Sequence, residues 1–353
     1  DGAIFIFGTA GDPKTSLGFM FAFQVLPTII FFASLMSVLY HLGVMQKIVQ
    51  GMAWVMLKVM RISGSESLAV AANVFVGQTE APLVVRPYIA KMTQSELFTM
   101  MVGGMATIAG GVLAAYITML GGGDEAQQIF YAKHLLAASV MAAPATIVLA
   151  KILQPETEES LTKGDVKIKV EKTATNVIEA AASGAADGVK LALNVGGMLL
   201  AFIALISLIN YPLAWVGNIT GLEGLVGQPL SLSLILGYLL SPLAWIIGIP
   251  WEDAIIVGGL IGEKVIINEF VAYMHLADFK DVLSEQSVLI STYALCGFAN
   301  FSSIAIQIGG IGGLAPNRRS DIASFGLRAV LGGTLATMMT ATIAGVLTQF
   351  IPA

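Results

Sequence analysis

The chain has 353 residues, of which 56% are hydrophobic and 12% charged, with a net charge of -5 at pH 7. A soluble domain carries a charged share of about 25%, so the composition excludes an ordinary soluble protein and describes a polytopic membrane protein. No run of Lys and Arg is dense enough to track a phosphate backbone, which excludes nucleic-acid binding on electrostatic grounds. The single cysteine, Cys296, excludes an internal disulfide, and His41, His134 and His275 show no metal-ligand spacing.

A crossing needs about 20 apolar residues, and six stretches supply them: 16–44, 94–120, 132–152, 188–210, 284–308 and 322–350. Residues 45–62, MQKIVQGMAWVMLKVMRI, carry Lys47, Lys58 and Arg61 on an otherwise apolar helix, the pattern of an amphipathic helix lying in the membrane interface. The stretch 66–90 is interrupted by Gly77, Glu80, Pro82 and Arg86, and 212–276 is apolar but broken. The hydrophilic run 153–176, LQPETEESLTKGDVKIKVEKTATN, reads as an exposed connector dividing the chain into halves.

Charge asymmetry sets the orientation. If 16–44 ends in the cytoplasm, Lys47, Lys58 and Arg61 lie inside, where Lys and Arg accumulate. Spans 94–120 and 132–152 then bring Lys163, Lys167, Lys169 and Lys172 inside only if 66–90 does not cross. A segment that enters and leaves on one side is a re-entrant hairpin. The same counting keeps 212–276 outside, as an interfacial helix plus a second hairpin, and delivers Arg318 and Arg319 to the cytoplasm.

The hairpins resemble each other: fifteen residues separate Glu80 from Ser95, and fifteen separate Glu269 from Ser284, and each Ser-Glu pair opens a span. The second hairpin carries LIGEKVIINEFVAY, with Gly262, Asn268 and Glu269, where the first carries Gly77 and Glu80. The expected fold is therefore an all-α polytopic membrane protein, an inverted repeat with two re-entrant helical hairpins and unwound transmembrane helices. Such a repeat holds its binding site near the midplane, where broken helix ends meet.

Its parts are a scaffold helix with an interfacial helix (1–62), the first hairpin with an unwound span and the following span (63–152), and a connector (153–187). A scaffold span with an interfacial helix (188–250), the second hairpin with its unwound span (251–316) and a final span (317–353) complete the chain. The 63–152 and 251–316 parts are the two halves of the repeat.

The spans after the hairpins contain GGMATIAGGV (103–112) and CGFANFSSIAIQIGG (296–310), rich in glycine and hydroxyls. Glycine there serves either close helix packing or unwinding, and Asn300, Ser302 and Ser303 favour the second, because packing does not need an amide. For the acids, Glu80 with Arg86 and Glu269 with Lys264 form either structural ion pairs or a functional site, the default for ionisable groups within a membrane. Gln78, Thr79 and Glu80 facing Asn268 and Glu269 suit a neutral ligand rich in hydroxyl or amide groups and would repel an anion.

The segments GQTEAPLVVRPYI (77–89), GEKVIINEFVAY (262–273) and GFANFSSIAIQIGG (297–310) closely resemble the concentrative nucleoside transporters, and the match runs from about residue 16 onward. The resemblance implies no enzyme but a secondary active symporter of a bacterial inner membrane. It implies a homotrimer in the lipid bilayer, importing nucleosides such as uridine or adenosine by an elevator-like movement. Bacterial members have eight transmembrane helices, so six spans imply that the first two are absent from this sequence. Carried over by motif, Gln78, Thr79 and Glu80 would face the nucleobase, with Val112 and Phe298 as apolar walls, and Glu269, Asn300 and Ser303 would hold the ribose hydroxyls. Glu80 would be desolvated against the base.

In sodium-coupled members the ion lies between the first hairpin's tip and the unwound part of the next span, which maps onto Asn73, Val76, Thr107 and Ile108. An Asn amide, a Thr hydroxyl and two backbone carbonyls give the oxygen-only shell that hard cations favour. Proton coupling through Glu80 or Glu269 is the alternative, since burial raises a carboxyl pKa. A membrane enzyme using the two carboxylates, or a channel, are rival classes. No nucleophile elbow or metal cluster accompanies the acids, and the two unlike halves do not make the repeated rings of a pore. Val265 stands where relatives often have Thr. The scaffold is expected from 16–44 and 188–210, with 322–350 at the trimer contact.

Overall fold

The computed structural model describes residues 2–12, 20–162 and 174–350. Lys163, Lys167, Lys169 and Lys172, the middle of the connector and the first residues of the 16–44 span lie outside the described residues. The helices in chain order are α1 (Gly2–Phe7), α2 (Phe21–His41), α3 (Val44–Met60), α4 (Gly64–Asn73), α5 (Ala81–Val84), α6 (Arg86–Ile89), α7 (Gln94–Ala106), α8 (Gly110–Gly121) and α9 (Glu125–Leu153). They continue as α10 (Val177–Thr220), α11 (Leu222–Val226), α12 (Leu232–Ile246), α13 (Trp251–Ile266), α14 (Glu269–Phe279), α15 (Glu285–Ala294), α16 (Phe301–Leu314) and α17 (Arg319–Phe350).

Among the described residues, five helical segments are long and apolar enough to cross a membrane: Phe21–His41, Gln94–Gly121, Glu125–Leu153, Val177–Thr220 and Pro316–Thr348. The 284–308 span is not one of them, because its helix stops at Ala294 and restarts at Phe301, leaving two short helices. The α12 and α13 pair, bent by 116°, supplies the interrupted apolar stretch of the second half. In α3, Met45, Val49, Ala53 and Met56 are buried on one face, while Lys47 and Lys58 are exposed together with Ile48, Trp54, Val55 and Val59.

The span at 188–210 is much longer than its apolar pattern suggested. α10 runs 44 residues, roughly 66 Å at 1.5 Å per residue, and takes up residues 177–187 that the sequence assigned to the connector. Asn176 starts it as N-cap, accepting from the Glu179 amide, and the Ala-rich run that follows favours helix. Small residues seat it on α2: a Cβ on Gly184 would lie 2.7 Å from the Ala33 carbonyl oxygen, and one on Gly188 would lie 2.8 Å from Ile30 Cα. Backbones that approach this closely are typical of membrane helix pairs. The α2–α10 pair stands at one side, and α10 exposes Leu200, Leu208, Tyr211 and Trp215. α17 instead packs on α7, α9, α15 and α16 rather than on that pair.

The two halves repeat in a register of 191 residues. Thr93 and Ser284, that far apart, are the N-caps of α7 and α15, and Gly110 and Phe301, equally spaced, begin α8 and α16. The sequence alignment of Glu80 with Glu269, and of Ser95 with Ser284, is thus two residues out of step. The caps decide the register because a side-chain acceptor for the first free amides fixes where a helix begins: Thr93 accepts from the Glu96 amide and Ser284 from the Ser287 amide. In the corrected register Glu269 corresponds to Gln78.

Candidate functional site

α4 ends at Asn73, and residues 74–80 form a turn before the single-turn helices α5 and α6. Pro82 sits in the first turn of α5, where its missing amide costs nothing, so it starts a helix rather than breaking one. The second hairpin turns at 267–268, and Asn268 caps α14 by accepting from the Val271 amide at 3.0 Å. Facing these turns are the gaps at 107–109, between α7 and α8, and at 295–300, between α15 and α16.

One run of hydrogen bonds joins both hairpins to the second gap and to α7 and α8. Glu269, 3% exposed at the start of α14, accepts from the Tyr116 hydroxyl at 3.2 Å and from Asn300 Nδ2 at 2.8 Å. Asn300 caps α16: its Oδ1 accepts from the Ser303 amide at 2.9 Å and from the Ser302 hydroxyl at 2.7 Å. Ser303 Oγ in turn accepts from Gln78 Nε2 at 3.0 Å, and Gln78 Oε1 accepts from Gln307 Nε2 at 3.1 Å. Gln307 also donates to the Met101 carbonyl at 2.9 Å. A carbonyl can only accept, so Met101 fixes which end of Gln307 faces it, and that orientation passes through Gln78 to Ser303.

Of the residues expected at the substrate site, Gln78, Glu269, Asn300 and Ser303 are therefore brought together directly. Val112 is buried near the start of α8, and Phe298 is half-buried in the second gap, both against one apolar cluster. Thr79 is half-buried and donates to Glu80 Oε1 at 3.0 Å. Glu80 itself is exposed. Its carboxylate folds back over Gly77, where a Cβ would lie 2.2 Å from Glu80 Oε2.

Neither structural ion pair forms: among the described residues Glu80 makes no salt bridge to Arg86, and the Lys264 amine bonds the Ala294 carbonyl and Thr337 Oγ1, each at 2.8 Å, rather than Glu269. Lys264 is fully buried. Val265 is half-buried against the apolar cluster around α4 and α7.

Two residues of this network, and one buried beside the second hairpin, escaped the sequence reading. Tyr116 stacks on Tyr273 with ring centroids 4.2 Å apart and reaches Glu269. Gln307 lies within a quoted motif but was not singled out. Lys264 was read only as a partner for Glu269. The signal that could have found the first two is the repeat: Tyr116 and Gln307 are 191 residues apart, and each reaches the opposite hairpin.

The expected ion ligands lie at the end of α4, in the turn that follows it and in the gap between α7 and α8. Asn73 is buried, and neither its Oδ1 nor its Nδ2 has a partner. Uncompensated buried amide atoms cost on the order of 1–3 kcal/mol each, so an oxygen-seeking ligand at this point would offset a real penalty. Thr107, buried at the end of α7, gives its proton to the Gly103 carbonyl at 2.8 Å, leaving its oxygen lone pairs free to accept. Ile108 is buried in the same gap, and Val76 is half-buried in the hairpin turn. The glycine pair inside α7 is helical and serves close packing: a Cβ on Gly103 would lie 3.2 Å from Asn73 Nδ2, and one on Gly104 would lie 2.8 Å from Gln78 Cβ and 2.9 Å from Gln307 Nε2.

The comparisons with known proteins bear on this arrangement. A family model described as the C-terminus of Na+-dependent nucleoside transporters matches residues 134–345, and one described as nucleoside recognition matches 22–123. The human sodium/nucleoside cotransporter 1 is 43% identical across 98% of this chain, which spans 53% of that protein. The chain belongs to the concentrative nucleoside transporters. Uncharacterised transporters of Haemophilus influenzae and Bacillus subtilis are 50% and 49% identical, each across 98% of this chain and 81% and 82% of theirs. The solved structure of CNTnw in an inward-facing, substrate-bound state matches all of this chain and 82% of its own, with a TM-score of 0.87 and 48% identity. This concentrative nucleoside transporter is thus a multi-pass membrane transporter and not an enzyme, with the helical architecture of its family.

Proposed function

We propose that the protein is a secondary active symporter that imports nucleosides such as uridine or adenosine with sodium as the coupling ion. The observation that carries this reading is the hydrogen-bonded run from Glu269 through Asn300 and Ser303 to Gln78. It ties the two hairpins together through neutral donors and acceptors and one carboxylate, a set suited to a neutral ligand with vicinal hydroxyls.

In this reading Glu269, Asn300 and Ser303 hold the ribose hydroxyls, a carboxylate accepting such bonds with charge assistance. Gln78, Thr79 and Glu80 read the base, and Val112 and Phe298 wall it. Glu80, being exposed, stands at the mouth of the site and closes on the base when the ligand arrives. Sodium is held by the Asn73 amide oxygen, the Thr107 hydroxyl and the carbonyls of Val76 and Ile108, and orders the first hairpin. Moving one sodium inward releases about 2.3 kcal/mol per 100 mV, before its concentration gradient is counted.

The body, residues 63–152 with 251–316, moves elevator-fashion against a scaffold built on the α2–α10 pair. The exposed apolar residues of α10 face lipid and the other copies of a homotrimer in a bacterial inner membrane. The test is uridine and adenosine uptake into liposomes under an inward sodium gradient, a proton gradient or neither. A proton-driven signal without sodium would move the coupling to Glu269, whose carboxylate has no salt-bridge partner among the described residues.

A further inference from the structure

The 191-residue register sets three positions around the end of each hairpin's first arm in correspondence: Asn73 with Lys264, Gly103 with Ala294, and Thr146 with Thr337. In the first half these groups converge without satisfying one another. A Cβ on Gly103 would lie 3.2 Å from Asn73 Nδ2 and 3.6 Å from Thr146 Cγ2. Yet both polar atoms of Asn73 and the buried hydroxyl of Thr146 lack partners. In the second half the same positions are closed. Lys264 Nζ donates to the Ala294 carbonyl and to Thr337 Oγ1, each at 2.8 Å. Thr337 passes its own proton to the Thr334 carbonyl at 2.9 Å, so toward Lys264 it can only accept. Ala294 is the last residue of α15, and a cation is favoured at a helix C-terminus, where free carbonyls gather.

We propose that the Lys264 ammonium is a tethered cation, holding the second hairpin against the end of α15 in the position where the first half takes up a free one. The two sites draw on like acceptors, a carbonyl at the end of a broken helix and a threonine hydroxyl from the long helix behind it. One site carries its cation on a side chain, and the other offers an amide oxygen instead. The second hairpin therefore stays docked whether or not an ion is bound, and only the first responds to the ion. Thr146 becomes an oxygen facing the first-half ion, beyond the four groups already named. The comparison rests on the assignment of Asn73 as an ion ligand, whereas the role of Lys264 in the second half does not.

The experiment measures uridine binding to the purified protein by titration calorimetry, with Lys264→Ala, Lys264→Met and Asn73→Lys variants, each checked for thermal unfolding. Lys264→Ala is expected to bind at least tenfold more weakly and to recover most of that loss in propylammonium chloride, but not in choline chloride at equal concentration. Lys264→Met, of similar length and without charge, is expected to stay weak in both. Asn73→Lys is expected to bind uridine with no dependence on sodium. A folded Lys264→Met that binds as the parent does, or a folded Lys264→Ala that the small amine does not rescue, overturns the proposal. If neither Lys264 variant folds, Asn73→Lys decides: sodium dependence retained, or uridine binding lost, also overturns it. Parent protein indifferent to sodium removes the ion assignment alone, since the rescue of Lys264→Ala compares two ammonium salts at equal sodium.

Discussion

Gln78 and Glu269 occupy the same position in the two halves of the chain and differ in ending in an amide or a carboxylate. Each is held by a residue of the opposite half, Gln78 by Gln307 and Glu269 by Tyr116. The site is thus a cross-braced pair, symmetric in placement and asymmetric in charge, with Asn300 and Ser303 bridging the middle.

Glu269→Gln keeps the shape and removes the charge. A hydrogen bond to a charged group contributes roughly 1.5–3 kcal/mol, so uridine affinity is expected to fall about 10- to 100-fold. Isothermal titration checks it, and unchanged affinity removes Glu269 from the ligand's contacts.

Tyr116→Phe deletes one hydroxyl while keeping the ring stacked on Tyr273. The loss is about 1 kcal/mol, expected as roughly fivefold weaker uridine binding with the melting temperature moved by only a few degrees. A large fall in melting temperature with intact binding would show that the contact is structural.

Gln307→Leu leaves Gln78 Oε1 without its donor and frees its amide to turn. Uptake kinetics are expected to show a raised KM, several-fold, with a maximal rate that changes little. Gln307→Glu, which offers only acceptors to Gln78 Oε1 and the Met101 carbonyl, is expected to be worse than Leu. The order Leu worse than Glu would contradict the donor role.

Gly104→Ala and Gly309→Ala make a matched pair in glycine-rich spans. At Gly104 the added methyl meets Gln78 and Gln307 within 3 Å, whereas at Gly309 nothing lies within 4 Å. Overpacking of a tight contact costs typically 1–3 kcal/mol, so Gly104→Ala is expected to lose stability and uridine binding while Gly309→Ala keeps both. Thermal unfolding with and without uridine separates them.

The fold was legible in the sequence where composition and interruption speak together. Apolar length marked five of the six crossings, and Gly77 and Asn268 marked where the interrupted stretches leave the helix. The register was misread because Glu80 and Glu269 look alike in one letter, while the residue that corresponds to Glu269 is Gln78, and caps carry the register better than acids do. Tyr116 sits in LAAYITML, and nothing in that apolar run distinguishes a tyrosine that bonds an acid from one that fills space. α10 outran its apolar stretch because Ala-rich turns continue a helix without looking like membrane.

The most direct measurement of the central claim is uridine accumulation in proteoliposomes with and without an inward sodium gradient, at matched pH. The account predicts accumulation above the external concentration only with the gradient, weakened in Asn73→Ala and regained at higher sodium. Accumulation of the same size without sodium, or equilibration that never exceeds the external concentration, would contradict it.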